Sequence, residues 1–206
     1  MKEIYDYDYF ENGIKTGKSG YENYRWLPER IYKEIRAVIH LLDIEPGDTV
    51  LDYGAAKGFW VRGLMEYGIK AWGCDSSEYA LSHCDKKVSG YLFNSLPITG
   101  KFDFIVSRNT LEHIKEEELE KILKQFYKMT DIVFFTVPLV DPKTREYIMQ
   151  MLDTTHKIFW TNEEWILFCE KCGWKVENLF RLKGIHDKWE SYPNSIGFYI
   201  LRKNQL

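Results

Sequence analysis

A short apolar strand, followed by a turn of small residues and then a helix, constrains this chain more than any other feature. Residues 49–53 form the apolar run, and the turn after it reads Gly54-Ala55-Ala56-Lys57-Gly58. Small side chains allow a ligand to approach the backbone of the turn closely. The following helix presents free N–H groups and the positive end of its dipole. The pattern therefore predicts a nucleotide-binding turn at the carboxyl end of a strand.

Two acidic residues support this prediction. Asp52 lies within the first strand, and Asp75 ends the next predicted strand. A carboxylate at the end of a second strand can accept both hydrogen bonds of a ribose diol. The alternative interpretation is a tight turn without a ligand, with Asp75 capping a helix. The strand, turn and acid in this order favour cofactor binding.

Strand and helix patterns alternate along the rest of the chain. Strands are predicted at 49–53, 71–74, 91–93, 102–106, 132–137, 176–180 and 198–201. Helices are predicted after Pro28, over 59–67, from 78, through 119–126, and from the capping box Thr161-x-x-Glu164 to Gly173. This alternation predicts an α/β fold with a mainly parallel sheet. The last two strands have little helical sequence between them, which predicts one antiparallel strand near the C-terminus.

Composition narrows the function classes. The chain has 206 residues with 45% hydrophobic residues, which suits one domain with a full core. The net charge of −3 and the scattered basic residues argue against phosphate-driven nucleic-acid binding. The acidic, aromatic N-terminus resembles neither a signal nor a transit peptide, and no apolar run is long enough to span a bilayer. We expect a cytoplasmic protein without a membrane partner.

The cysteines predict no metal site. Cys169 and Cys172 form a lone C-x-x-C within a helical pattern, whereas a zinc site needs two further ligands at suitable spacing. We expect both to be buried thiols.

The turn also separates two cofactor classes. A nicotinamide fingerprint would read G-x-G-x-x-G, but Phe59 stands where the third glycine belongs. The segment Asp52–Gly58 instead resembles the first motif of class I S-adenosylmethionine-dependent methyltransferases, with Ala56 in place of the middle glycine. Further similar segments follow in order, at 73–77, 94–97, 102–114 and 153–174. The resemblance covers roughly residues 27–203.

This resemblance implies a fold, an activity and a set of site residues. The fold is a Rossmann-like three-layer sandwich with a mostly parallel seven-stranded sheet and one antiparallel strand near the C-terminus. An N-terminal arm at 1–26 precedes a methyltransferase domain at 27–206. The cofactor is S-adenosyl-L-methionine, and its product is S-adenosyl-L-homocysteine. The implied cofactor-binding residues are Tyr24, Arg25, Asp52, Gly54, Ala55, Ala56, Gly58, Asp75, Ser76, Asn94, Ser95, Leu96, Ser107 and Asn109.

The arm at 19–26 resembles that of bacterial methyltransferases found near genes for surface sugars and secondary metabolites. The resemblance implies a lid, in which Arg25 pairs with the methionine carboxylate. Tyr21, Tyr24 and Trp26 then shield the sulfonium from water. An arm that merely packs on the domain through its aromatic side chains is an equal alternative.

An alcohol acceptor must also lose a proton, which invites a general base. His156 is the first candidate, since it lies in a loop-like stretch after the fifth strand, although a structural role is at least as plausible. His113, within the L-E-H-I segment, is the second. His186 and Asp187 are candidates to line an acceptor pocket.

The acceptor itself is inferred by exclusion. Sequence motifs of amino-methylating nucleic-acid enzymes, cytosine-C5 enzymes and radical enzymes are absent, which leaves an O or N atom of a small molecule. A sugar, a nucleotide-linked sugar or a phosphoramidate-type capsule precursor fits the resemblance. Three rivals stay open: an NAD(P)-binding oxidoreductase, a non-catalytic cofactor-binding scaffold, and an RNA or protein methyltransferase. The sequence leaves the oligomeric state open.

Overall fold

A mixed β-sheet forms the centre of the structure, a computed structural model that describes residues 3–97, 99–149, 152–179, 181–185 and 191–204. Its strands in this part of the chain are β1 (Thr49–Tyr53), β2 (Lys70–Cys74), β3 (Leu92–Phe93), β4 (Phe104–Arg108), β5 (Ile132–Pro138), β6 (Trp174–Leu179) and β7 (Ile196–Lys203). The order across the seven-stranded sheet is β3-β2-β1-β4-β5-β7-β6. Strand β7 runs antiparallel to both β5 and β6, while β2 is parallel to β1 and β3, and β4 is parallel to β5. The predicted Rossmann-like α/β sheet is confirmed.

The helices follow the predicted order. They are α1 (Tyr7–Phe10), α2 (Gly13–Thr16), α3 (Pro28–Leu42), α4 (Phe59–Glu66), α5 (Glu78–Ser82), α6 (Glu116–Met129) and α7 (Asn162–Lys171). Single turns of 3-10 helix occupy Ser89–Tyr91 and Leu111–His113. The capping box at the start of α7 is present, since Thr161 and Glu164 each bond the backbone N–H of the other.

The starts of two strands, among other boundaries, differ from those the sequence predicts. Strand β4 begins at Phe104 rather than at 102, because the Phe102 amide donates to Met129 O at 2.9 Å and so leaves the ladder. Strand β6 begins at Trp174 rather than at 176, where the indole is buried and its Nε1 lies 3.3 Å from Leu123 O. Phe180, its predicted end, lies outside the described residues.

The arm at 1–26 contains two short helices, α1 and α2, that the sequence analysis does not predict. Asp6 caps α1 by accepting a hydrogen bond from Tyr9 N at 3.1 Å. Gly17 ends α2 in the left-handed conformation, with φ of 69°. Both helices have only four residues, too short to be detected by their periodicity.

The chain divides into two compact units by its internal contacts. Unit 1 contains residues 3–97 with 152–155, and unit 2 contains the other described residues. The core of unit 1 includes Ile35, Val38, Leu51, Val61 and Leu64, and that of unit 2 includes Phe126, Phe134, Phe135, Trp165 and Tyr199. In the described ranges, no helix has the length and apolar character needed to cross a membrane.

Cys169 and Cys172 lie in the core, as predicted. Both are buried free thiols near the end of α7, where Trp165 and Phe168 are also buried. Burial raises the pKa of both thiols, which keeps them protonated at neutral pH.

Candidate functional site

The turn between β1 and α4 lies against the end of β2. Gly54 N and Ala55 N both donate to Cys74 O, at 2.8 and 3.0 Å. Gly54, Ala56 and Gly58 have φ of 82°, 47° and 76°, so alternate residues of the turn are left-handed. Ala56 holds a conformation that costs a residue with a Cβ about 1–2 kcal/mol. The glycine pattern of the turn is therefore a backbone requirement.

Packing explains two glycines independently of any ligand. A Cβ on Gly58 would lie 2.8 Å from Val88 Cγ2 and 2.9 Å from Leu92 Cδ1. A Cβ on Gly73, in β2, would lie 2.5 Å from the Cβ of Ala55. These close approaches pack the turn tightly against β2 and the segment that carries β3, which fixes its position.

Asp75 follows β2 and is held rigidly against the turn. Its Oδ2 accepts from Ala56 N at 2.7 Å, and its Oδ1 accepts from Ser77 N at 2.8 Å. A carboxylate offers about four acceptor sites, so two more hydrogen bonds fit a ribose diol. Ser77, rather than Asp75, is the N-cap of α5, because its side chain accepts from Ala80 N. The geometry therefore disfavours helix capping as the purpose of Asp75.

The arm packs on the same turn. Tyr9 and Phe10 of α1 are buried in a cluster that includes Tyr21, Tyr24 and Ala56. We call the aromatic residues of this group the arm cluster. The Tyr24 ring lies 5.6 Å from that of Phe10, between ring centroids. The N-terminal arm thus contacts the first-motif turn directly.

The predicted cofactor residues of the arm have different settings. Tyr24 is half-buried, whereas Arg25 is exposed. Trp26 is half-buried beneath Arg62, whose guanidinium carbon lies 4.0 Å from the indole centroid. A role for Arg25 toward a methionine carboxylate stays a prediction.

A lysine in the turn connects it to the arm. Lys57 is buried, and its Nζ forms an ion pair with Glu11 and donates to Tyr24 O at 2.9 Å. Tyr79 Oη also donates to Glu11 Oε1, at 3.1 Å. Sequence reasoning missed Lys57 and Glu11 as a pair. Within the turn, the one sequence feature that could have indicated this pair is the long cationic side chain of Lys57 between small residues.

We expect Lys57→Met to loosen the arm, because it leaves the Glu11 carboxylate at a poorly hydrated position without its cation. Removing one partner of a buried pair costs about 3–5 kcal/mol, and partial exposure reduces that value here. Hydrogen–deuterium exchange of α1 and α2 should rise by about 10-fold or more. Lys15→Met, at an exposed position of α2, is the matched control. Equal protection in both variants would show that the pair does not hold the arm.

The remaining predicted residues of unit 1 surround the ends of its strands. Asp52 is buried within β1, and Ser76 is exposed after Asp75. Asn94 and Ser95 are exposed just after β3, and Leu96 is half-buried. Their contacts with an adenine or a ribose stay predictions.

In unit 2, Ser107 and Asn109 lie at the end of β4. Ser107 is fully buried. Asn109 has φ of 47°, and its Oδ1 accepts a hydrogen bond from Thr136 Oγ1 at 3.0 Å. The strand therefore ends in a left-handed residue that is fixed by the neighbouring strand β5.

Unit 2 also brings both predicted catalytic histidines together. The rings of His113 and His156 are 4.6 Å apart, between ring centroids, and nearly perpendicular. Their Nε2 atoms lie 4.0 and 3.9 Å from Oε1 of Glu112, a fully buried carboxylate. We call these three residues the Glu-His-His cluster. Glu112 was visible in the L-E-H-I segment, but a role for it was missed. His186 and Asp187 lie outside the described residues.

Comparisons with known proteins agree with this geometry. A family model described as a methyltransferase domain matches residues 26–179. None of the curated proteins is similar enough in sequence to match.

Solved structures with the same fold include an S-adenosylmethionine-dependent methyltransferase from Archaeoglobus fulgidus, with 18% identity and a TM-score of 0.64, covering 84% of this chain and 94% of that one. A second such enzyme, from Clostridium acetobutylicum ATCC 824, has 14% identity and a TM-score of 0.64, covering 87% and 93%. The magnesium protoporphyrin IX methyltransferase of Synechocystis PCC 6803, with bound S-adenosylhomocysteine, has 13% identity and a TM-score of 0.62, covering 85% and 83%. Since the family model matches well over half of the sequence, this chain belongs to the methyltransferase-domain family and is an S-adenosylmethionine-dependent enzyme.

Proposed function

We propose that the enzyme methylates an oxygen or nitrogen atom of a small molecule. The candidate classes are a sugar, a nucleotide-linked sugar and a phosphoramidate-type capsule precursor. The observation that carries the proposal is the arm cluster, which packs on Ala56 of the cofactor turn. An aromatic cover on this turn suits a small acceptor better than a broad macromolecular surface. The proposed setting is cytoplasmic, where the four free cysteines stay reduced.

The acceptors named for structural neighbours differ widely. One neighbour is a small RNA methyltransferase, and another acts on magnesium protoporphyrin IX. A third neighbour, from Haloferax volcanii, is in complex with a methyltransferase activator. A net charge of −3 disfavours RNA as the acceptor here, because phosphate contacts need clustered cations. We therefore keep the small-molecule proposal, with no nucleic-acid partner.

Two other rivals are less well supported. Phe59 is buried at the start of α4, at the position of the third glycine in a nicotinamide fingerprint. A non-catalytic scaffold would have no need for the Glu-His-His cluster, whose titratable groups are typical of reactive sites.

We propose that residues of unit 1 bind the cofactor. When bound, S-adenosylmethionine supplies an activated methyl group on sulfur and leaves as S-adenosylhomocysteine. Asp75 would accept hydrogen bonds from the ribose hydroxyls, and the turn at 54–58 would bring its backbone close to the ligand. Asn94, Ser95 and Leu96 would hold the adenine, and Tyr24 and Arg25 would hold the methionine end. Correct positioning by such contacts can supply about 7–11 kcal/mol of the barrier reduction.

We propose that a residue of unit 2 removes the proton of the acceptor. A hydroxyl acceptor loses its proton as the new bond forms, and His156 is the group assigned to this task, with His113 as the second candidate. His113 is the more exposed of the two, with 10% of its side chain accessible against 2% for His156. Glu112 lies beside both imidazoles and is the group placed to orient them.

The proposal is tested by an acceptor screen that measures S-adenosylhomocysteine release. With a responsive acceptor, His156→Ala should lower kcat by about 100-fold or more, as loss of a proton-transfer group does. Its affinity for S-adenosylhomocysteine should stay within about twofold of wild type, since the cofactor residues of unit 1 are unchanged. His40→Ala, an exposed histidine of α3, is the control. Normal turnover by His156→Ala would remove His156 from the mechanism, and turnover of RNA alone would refute the small-molecule class.

A further inference from the structure

The Glu-His-His cluster has a composition that the proton-transfer role does not require. It joins two imidazoles and one carboxylate, and their ligating atoms all lie within 4.8 Å of one another. Two of the three residues are adjacent in sequence, and the third comes from the loop before α7. Burial is nearly complete, with Glu112 inaccessible and His156 only 2% exposed in its side chain. The group is therefore a built interior feature and not a chance surface cluster.

Backbone hydrogen bonds fix the cluster from both sides. Glu112 O accepts from Lys157 N at 2.8 Å and from Ile158 N at 3.0 Å, which holds the His156 loop against the 3-10 turn. Tyr147 Oη donates to Ile158 O at 3.2 Å, and its ring lies edge-on to His156 at 5.2 Å. The three side chains are thus placed by the main chain, as ligands of a preorganised site are.

The ligating atoms of the cluster lie slightly farther apart than the ligands of one bound ion. Nε2 of His113 and Nε2 of His156 lie 4.0 and 3.9 Å from Glu112 Oε1, which is longer than a hydrogen bond. Ligands about 2.1 Å from one ion are about 3.0 Å apart when adjacent in an octahedral site and about 4.2 Å apart when opposite. One carboxylate oxygen can lie opposite only one of the two nitrogens, so at least one of these distances shortens by about 1 Å when an ion binds. The largest separation among the three ligating atoms, at most 4.8 Å, exceeds the distance between opposite ligands by up to about 0.6 Å.

Charge favours a cation at the same place. A carboxylate buried away from water is costly without compensating charge, and a bound divalent cation supplies such charge. Neutral imidazoles are good ligands for divalent transition metals, and two histidines with one carboxylate leave coordination positions open for oxygen ligands.

We propose that Glu112, His113 and His156 bind one divalent transition-metal ion. Nε2 of each histidine and a carboxylate oxygen are the three protein ligands, and the open positions take water. If the proposed function also holds, a hydroxyl of the acceptor replaces one water, and the ion lowers the pKa of that hydroxyl. The hydroxyl proton then passes to water, and His156 acts as a ligand. This is the alternative to the general-base role proposed for His156 above, and loss of His156 lowers turnover in both cases. The ion site departs from the metal-free site that the cysteine spacing alone predicted.

The experiment uses the full chain, stripped of metal with EDTA, and titrates it with Co²⁺ while recording visible absorption and heat. We expect one Co²⁺ per chain, d–d bands of a five- or six-coordinate ion with N and O ligands, and displacement by Zn²⁺. Mg²⁺ should bind at least about 100-fold more weakly, because it prefers oxygen ligands. Glu112→Gln and His156→Asn should each weaken Co²⁺ binding by about 100-fold, whereas His40→Asn should match wild type.

Each outcome of the titration decides the proposal. Absence of stoichiometric Co²⁺ binding by the wild-type chain overturns it without reference to any variant. Binding that is equal in Glu112→Gln, His156→Asn and wild type, or that shows thiolate charge-transfer bands from Cys169 and Cys172, also overturns it. Affinity for S-adenosylhomocysteine is measured on the same samples. If the wild-type chain binds S-adenosylhomocysteine but not Co²⁺, the ion site alone is refuted. If the wild-type chain does not bind S-adenosylhomocysteine, the proposed function is refuted.

Discussion

Asp75→Asn is expected to weaken S-adenosylhomocysteine binding by about 10- to 100-fold, since hydrogen bonds to a charged group are worth about 1.5–3 kcal/mol. The substitution keeps the shape of the side chain but replaces one acceptor oxygen by an NH₂ donor. Both carboxylate oxygens already accept a backbone N–H, from Ala56 and Ser77. An NH₂ group at either place would face a donor, which also disturbs the turn. Isothermal titration measures the loss.

The matched control for this prediction is Asp131→Asn. Asp131 lies in unit 2 with 82% of its side chain exposed, and it pairs with Lys203 at the surface. Its substitution should leave cofactor affinity unchanged. Equal affinity in Asp75→Asn and wild type would remove Asp75 from the cofactor site.

The pH dependence of binding provides an independent check on Asp75. Burial raises the pKa of its carboxyl, and the charge of Glu3 adds to this, against the two backbone N–H donors. Ribose hydroxyls donate to the charged form, so binding lowers the pKa of this carboxyl again. Affinity should therefore fall as the pH is lowered through the raised pKa. Asp75→Asn should lack this acidic decrease, and a parallel decrease in both proteins would contradict the assignment.

Gly58→Ala is expected to lower the free energy of unfolding of unit 1 by about 2–5 kcal/mol. This value is the sum of the cost of a left-handed φ for alanine and the cost of overpacking. Gly58 has φ of 76°, and a Cβ there would overlap Val88 and Leu92. The neighbours can recede only by rotation of these two buried or half-buried side chains or by a shift of the segment that carries β3. Since Gly58 also caps α4, the turn should shift and cofactor affinity should fall as well.

Chemical denaturation followed by tryptophan fluorescence measures this effect. Gly90→Ala is the control, because nothing lies within 4 Å of the position that a Cβ would take there. We expect Gly90→Ala to change the free energy of unfolding by less than about 1 kcal/mol. Similar stabilities for the two variants would show that the turn adapts, and that packing does not fix its glycine.

Local patterns made much of this fold predictable. The turn at 54–58, the helix that starts at Pro28 and the capping box at Thr161 each depend on residues close in sequence. Strand boundaries were less predictable where tertiary contacts decide them. Phe102 leaves β4 because its amide bonds the end of α6, a residue far along the chain.

The site was predictable to a smaller extent, because contacts between residues far apart in sequence also determine it. The sequence places Asp75 and the turn on neighbouring strands, so their contact could be expected from a parallel sheet. The pair of Lys57 with Glu11 and the approach of His156 to Glu112 join segments with no shared pattern. The acceptor depends on side chains brought together by such long-range contacts, which is why sequence reasoning leads only to a proposed class and not to an identity.

The first-motif turn is the centre of this account, and titration of the wild-type chain with S-adenosylhomocysteine and, separately, with NADH tests it most directly. We expect one S-adenosylhomocysteine per chain with micromolar or tighter affinity, weakened by about 10- to 100-fold in Asp75→Asn, and no heat with NADH. Binding of NADH without S-adenosylhomocysteine, or binding of neither, would contradict the assignment of this turn to S-adenosylmethionine.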